Sequence, residues 1–120
     1  MTKILVADDS AFMRKILSNI LTKAGYKDLV EAADGGEAIE VYKKEKPDLV
    51  LMDIIMAPKD GIEGLKGIKS FNKGAKVIMV TAIGQETMIN DAKKCGCSEY
   101  IIKPFKEEKV LEAVKKALGK

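Results

Sequence analysis

Short apolar runs alternate with stretches of helical period along this chain. Residues 3–7, 28–33, 49–52, 77–81 and 100–102 have strand length, and most are rich in Val, Ile or Leu. Between them, Phe12, Met13, Ile16, Leu17, Ile20, Leu21 and Ala24 form an apolar stripe that Gly25 brings to a stop. Val110, Leu111, Val114, Ala117 and Leu118 repeat the pattern in the last segment, with Glu107 and Glu108 at its start and Lys115 and Lys116 near its end, as the helix dipole favours. Asp34-Gly35-Gly36-Glu37 and Asp60-Gly61-Ile62-Glu63 each place an acceptor side chain three residues before a Glu, the form of a capping box. Gly61, Gly64 and Gly67 weaken the helix that follows the second box by about 1 kcal/mol each relative to Ala, and the stripe Ile62, Leu65, Ile68 and Phe71 restores it.

Five strand–helix units predict an α/β fold, a doubly wound five-stranded parallel sheet, with residues 1–120 forming one domain. Parallel strands require crossovers, and right-handed crossovers lay helices on both faces of the sheet. Ligands of such sheets bind beyond the carboxyl ends of the strands. Asp8 and Asp9 end the first strand, Asp53 the third, Thr81 the fourth and Lys103 the fifth, so all five are expected at one edge.

Composition narrows the function. The chain has 47% hydrophobic and 32% charged residues, a balance suited to a soluble globular domain, and no stretch approaches the roughly 20 apolar residues of a membrane span. The apolar start, Ile4 to Ala7, is too short for a signal peptide, so a cytoplasmic location is expected. Net charge is +3, from 20 lysines and one arginine against 18 acids spread along the chain, which argues against nucleic acid as a partner. Cys95 and Cys97, with no histidine in the chain, supply at most half a zinc site and no disulfide framework, and read as small reduced residues at a helix end.

Three carboxylates held together raise one another's pKa values and destabilise the fold unless a cation sits among them. Oxygen ligands without His or thiolate select a hard ion, and Mg²⁺ suits a site with few carboxylates. A neutralised Asp53 beside a metal and the Lys103 ammonium has the character of an aspartyl-phosphate nucleophile, to which Thr81 can add a hydroxyl. Taken singly, an Asp after a strand is usually a helix cap and a Lys-Pro usually a turn. Five such residues together at the ends of four strands are not explained that way. The chain contains no GxxxxGK[ST] loop, no GxGxxG and no His for a triad.

Val6-Ala7-Asp8-Asp9-Ser10, Met52-Asp53-Ile54 followed by Asp60-Gly61, Val80-Thr81-Ala82 and Lys103-Pro104-Phe105 together resemble the signature of response regulator receiver domains, in order and across essentially the whole chain. Residues 9–14, Asp-Ser-Ala-Phe-Met-Arg, and Gly84-Gln85 resemble the CheY-like chemotaxis branch. The resemblance implies a flavodoxin-like strand order, 2-1-3-4-5. It also implies Asp53 as phosphoacceptor, and Asp8, Asp9, Asp53 and the Ile55 backbone carbonyl as ligands of Mg²⁺, for which Mn²⁺ can substitute. Thr81 and Lys103 would contact the phosphoryl oxygens, Tyr100 would be the switch aromatic, and the Lys103-Pro104 bond would be cis. The implied partners are a histidine kinase, a phosphatase, and a motor-linked or adaptor protein bound through the face of helix 4, strand 5 and helix 5. The chain itself would be a monomer and no enzyme beyond its own phosphorylation and dephosphorylation. Ile55 and Ile83 fall where they would flank the path of water to the phosphorus, which implies slow hydrolysis.

Two positions depart from the family pattern. Proline follows the phosphoacceptor one place late, in Met56-Ala57-Pro58-Lys59, and Cys95-Gly96-Cys97 stands where Ala-Gly-Ala is frequent. The resulting expectation is a single-domain response regulator of a chemotaxis pathway. A phosphorelay intermediate is the alternative with the same chemistry, and an interaction module that is never phosphorylated is the alternative from another class.

Overall fold

The computed structural model describes residues 2–82 and 86–119. Five strands and five helices alternate: β1 (Lys3–Ala7), α1 (Ala11–Lys23), β2 (Asp28–Ala32), α2 (Gly35–Glu45), β3 (Leu49–Asp53), α3 (Gly61–Phe71), β4 (Val77–Ala82), α4 (Glu86–Lys94), β5 (Glu99–Lys103) and α5 (Glu107–Leu118). All pairings are parallel and the strand order is β2-β1-β3-β4-β5. The expected fold and order are therefore those observed.

Alternation along the central strands divides the interior into two cores, because successive side chains leave a strand on opposite faces. Leu5, Val50, Met52, Val77 and Met79 pack with residues of α2, α3 and α4, including Ala38, Tyr42, Leu65, Ile68 and Ala92. Ile4, Leu49, Leu51 and Ile78 pack on the other face with Leu17 and Leu21 of α1 and Val110, Val114 and Ala117 of α5. Central strands covered on both sides read as continuous apolar runs for this reason.

Helix starts follow local chemistry. Ser10, Asp34 and Asp60 each cap a helix by accepting from the amide three residues on, that of Met13, Glu37 and Glu63 respectively. The glycines of α3 serve close approach rather than flexibility. A Cβ on Gly61 would overlap the Asp53 carbonyl oxygen, and one on Gly67 would overlap the Ile39 side chain of α2. Two large members of the expected apolar stripes are exposed: Phe12 is 74% exposed, and Phe71 is half exposed with its ring edge-on to Tyr42. Both sit at a helix terminus, where the stripe runs past the sheet it covers. The Ala57-Pro58 and Lys103-Pro104 bonds are cis, the second as expected. No helix among the described residues is long and apolar enough to cross a membrane.

Candidate functional site

The topology brings polar residues together at the carboxyl edge. β1 and β3 lie side by side at the middle of the sheet, with Ala7 opposite Met52, so the residues just beyond β1 and at the end of β3 are neighbours. One carboxylate oxygen each from Asp8, Asp9 and Asp53 lies within 4.8 Å of the others. Asp8 and Asp53 are buried, whereas Asp9 is exposed. Lys103, at the end of the edge strand β5, reaches across the top of β4, and its Nζ lies 3.3 Å from Asp8 Oδ2 and 3.3 Å from Asp53 Oδ2. Thr81 is fully buried near the end of β4, and its hydroxyl finds no hydrogen-bond partner among the described residues.

One ammonium shared between two buried carboxylates, with a third close by, leaves the cluster net negative. Burial raises the Asp53 pKa above its ordinary value. Lys103 opposes that rise, the Asp8 charge adds to it, and the backbone amide of Ile55 opposes it weakly. A carboxylate so placed stays protonated more readily than in water unless a second cation enters. The donors are all oxygen and include no thiolate or imidazole, which suits a hard divalent ion such as Mg²⁺.

A family model described as the response regulator receiver domain matches residues 4–115. The chain belongs to the response regulator receiver family. This receiver is 47% identical over 117 residues to the chemotaxis protein CheY of Bacillus subtilis, covering 98% of each chain. It is 40% identical to the sporulation initiation phosphotransferase F of the same organism, covering 97% of this chain and 93% of that protein. Its backbone matches a chain from a CheX–CheY–BeF₃–Mg²⁺ complex of Borrelia burgdorferi with a TM-score of 0.93 at 39% identity, over 99% of this chain and 90% of the other.

The structure gathers Asp8, Asp9, Asp53 and Lys103 at one site, with Thr81 two residues beyond Met79 on the neighbouring strand β4. Tyr100 stands apart from it. Its side chain is 42% exposed, and the Lys93 ammonium lies 5.0 Å from its ring centroid. Ile55 is 47% exposed on the loop after β3, and Ile83 lies outside the described residues. Cys95 and Cys97 are free, half-buried thiols packed against the α2–α4 core, and burial pushes the Cys97 thiol up, away from thiolate reactivity.

Arg14, to which the sequence motifs assign no role at the site, also touches Asp8. Its Nη1 donates to the Asp8 backbone carbonyl at 2.6 Å, and its Nε donates to Glu31 Oε1 at 2.7 Å. The available signal was its singularity, one arginine among 20 lysines, in a chain that otherwise answers every need for positive charge with lysine.

Proposed function

We propose that this receiver accepts a phosphoryl group on Asp53 from a phosphohistidine of a kinase, with Mg²⁺ held by Asp8, Asp9, Asp53 and the Ile55 carbonyl, and that the phosphorylated form binds an output partner in chemotaxis signalling. The 120 residues act in this as one unit. The observation that carries the reading is the convergence of Lys103 on two buried carboxylates, at the edge that also carries a buried hydroxyl with no partner among the described residues. An Asp53 oxygen attacks phosphorus, the phosphorus–nitrogen bond breaks, and the departing imidazole nitrogen keeps the electron pair and takes up a proton. When bound, Mg²⁺ offsets charge on the phosphoryl oxygens. Lys103 exchanges its Asp53 contact for a phosphoryl oxygen, and the Thr81 hydroxyl, which has no partner among the described residues, donates to another.

The signal follows from that exchange. Thr81 moving toward the phosphoryl group opens space beside β4 for the Tyr100 ring, which leaves its exposed place under Lys93. The output partner then binds the α4–β5–α5 face, where Tyr100, Ile102, Pro104, Phe105, Lys109 and Ala113 line a groove. Shifting a two-state equilibrium from about 1% to about 99% takes roughly 5.5 kcal/mol, so phosphoryl and partner contacts share the work. Termination is slow without a phosphatase, because exposed Ile55 offers an attacking water bulk and no hydrogen bond. Ile55→Asn is expected to speed decay of the phosphorylated protein by about tenfold. An unchanged decay rate would remove that part of the account.

Labelling with a small phosphodonor tests the core of the reading. Wild type takes up label only with Mg²⁺ or Mn²⁺ present, and Asp53→Asn takes up none, since an amide is a poor nucleophile. Equal labelling of the variant would end the assignment. A second reading, the phosphorelay intermediate, is favoured by the resemblance to the sporulation phosphotransferase. Passage of label from this protein to a second histidine protein would support it over a direct output role.

A further inference from the structure

Every polar atom of Asp8 is held by a different residue. Its amide donates to the Ala32 carbonyl at the end of β2, 3.1 Å away. Its Oδ1 accepts from the Ser10 amide at 2.9 Å, and its Oδ2 lies 3.3 Å from Lys103 Nζ. Its carbonyl accepts from Arg14 Nη1 at 2.6 Å, while the same guanidinium is anchored on Glu31 by its Nε. That carbonyl belongs to the peptide joining Asp8 to Asp9, so whatever fixes it fixes the plane from which both carboxylates depart. The Arg14 side chain is only 19% exposed, and Glu31 lies on β2 next to Ala32, the residue whose carbonyl holds the Asp8 amide. One planar fork therefore ties the first turn of α1, strand β2 and the peptide between two acidic residues into a single rigid unit.

We propose that Arg14 is a positioning residue for the cation site, acting through the backbone of Asp8; this rests on the reading of Asp8 and Asp9 as cation ligands. A guanidinium meets two acceptors in fixed directions at once, whereas a lysine ammonium is a point charge on a flexible stem and cannot hold both in one geometry. That accounts for the single arginine of the chain standing at this place. Charge alone gives the opposite sign: a positive group beside the acidic cluster repels a divalent ion, so an effect of charge would make loss of Arg14 tighten cation binding. An effect of position makes it weaken.

The test is the Mg²⁺ dissociation constant of the full chain, measured by calorimetry on wild type, Arg14→Lys and Arg14→Ala, beside the metal-free melting temperature of each. Arg14→Lys keeps the charge and removes the fork, and is expected to bind Mg²⁺ about tenfold more weakly, the low end of the effect of residues that orient metal ligands. Arg14→Ala is expected to weaken binding as well, despite losing a repelling charge. Glu45→Gln, a substitution at the opposite edge of the sheet, serves as a control that lowers stability and leaves the constant unchanged. Wild-type affinity in Arg14→Lys, or tighter binding in Arg14→Ala, overturns the inference while leaving the cation site intact. Absence of Mg²⁺ binding by wild type overturns the cation site and this inference with it.

Discussion

At the amino-terminal edge of the sheet, polar groups meet partners. Lys3 Nζ lies 2.9 Å from Glu45 Oε1, the Lys3 amide donates to Asp48 Oδ2 at 2.8 Å, and the Asp48 amide returns a bond to the Lys3 carbonyl at 2.8 Å. Nearby, Asn72 Nδ2 donates to the Tyr42 hydroxyl at 3.1 Å. At the carboxyl edge the same sheet carries two buried carboxylates on one ammonium, a third carboxylate beside them, and a buried hydroxyl with no partner among the described residues. Both edges belong to the same strands and share the same cores, so packing does not explain the difference. The first edge is complete by itself. The second carries excess negative charge and a buried hydroxyl with no partner among the described residues, the imbalance that Mg²⁺ and a phosphoryl group would relieve under the proposed function.

The sharpest way to break this contrast is to remove one lysine from each edge. Lys103→Gln leaves Asp8 and Asp53 facing each other without a counter-charge. In metal-free buffer it is expected to cost about 3 kcal/mol, or roughly 10 °C in melting temperature, with much of the loss recovered on adding Mg²⁺. Lys3→Gln breaks a pair that is partly exposed on both sides, and is expected to produce a far smaller drop that Mg²⁺ does not reverse. Equal losses in the two variants, or a Lys103→Gln deficit indifferent to Mg²⁺, would contradict the account of the carboxyl edge.

Most of this arrangement was legible in the sequence, for identifiable reasons. Central strands such as Leu49–Asp53 are buried on both faces and announce themselves as apolar runs, and parallel connectivity then sends the residues that follow them to one edge. Capping at Asp34 and Asp60 is local chemistry and was equally visible. The exposure of Phe12 and Phe71 was not, because a helical period gives the direction of a side chain but not where the sheet beneath it ends. Arg14 was missed because its partners, a backbone carbonyl and a glutamate 17 residues away, carry no pattern in the chain. Nor could the exposed setting of Tyr100 be read, since its neighbour Lys93 comes from another element.

Acid titration separates the edges by sign. Glu45 has its pKa lowered, chiefly by its hydrogen bond to Lys3, so its contribution to stability is full above its ordinary value and is lost as pH falls through the folded one. Asp53 has its pKa raised, chiefly by burial. In metal-free protein it is therefore neutral to stability below its ordinary value, near 3.8, and becomes a burden as pH rises through the folded value. Asp53→Asn is accordingly expected to raise the melting temperature at pH 7, and Glu45→Gln to lower it. The Asp53 difference shrinks toward zero as the pH falls toward 3.8, and the Glu45 difference shrinks as the pH falls below 4.5 and through its lowered folded value. Saturating Mg²⁺ stabilises wild type and erases the advantage of Asp53→Asn. Calorimetric scans across that range check all three outcomes, and a destabilised Asp53→Asn at pH 7 would show that Lys103 already balances the cluster.

The smallest expected effect concerns a single hydroxyl at each edge. Thr81→Val replaces the buried Oγ1 by a methyl group of nearly the same volume, so packing is kept and only the desolvated polar group is removed. Leaving a buried hydroxyl unpaired carries a cost, and deleting it is expected to leave stability unchanged or raise it by up to about 1 kcal/mol. Tyr42→Phe makes the matching change where the hydroxyl accepts a bond from Asn72, and is expected to cost about 0.5 kcal/mol. Thr81→Val thus loses no stability whereas Tyr42→Phe does, although each loses one buried oxygen. Under the proposed function the consequence is expected to be reversed as well: Tyr42→Phe should keep its response to phosphorylation, whereas phosphorylated Thr81→Val should bind its output partner no better than the unphosphorylated protein. Denaturant melts and partner titrations of the same samples measure both. A Thr81→Val that is less stable than wild type would mean that its hydroxyl is already bonded in the resting protein, and the carboxyl edge would lose the unpaired group on which its contrast with the amino edge depends.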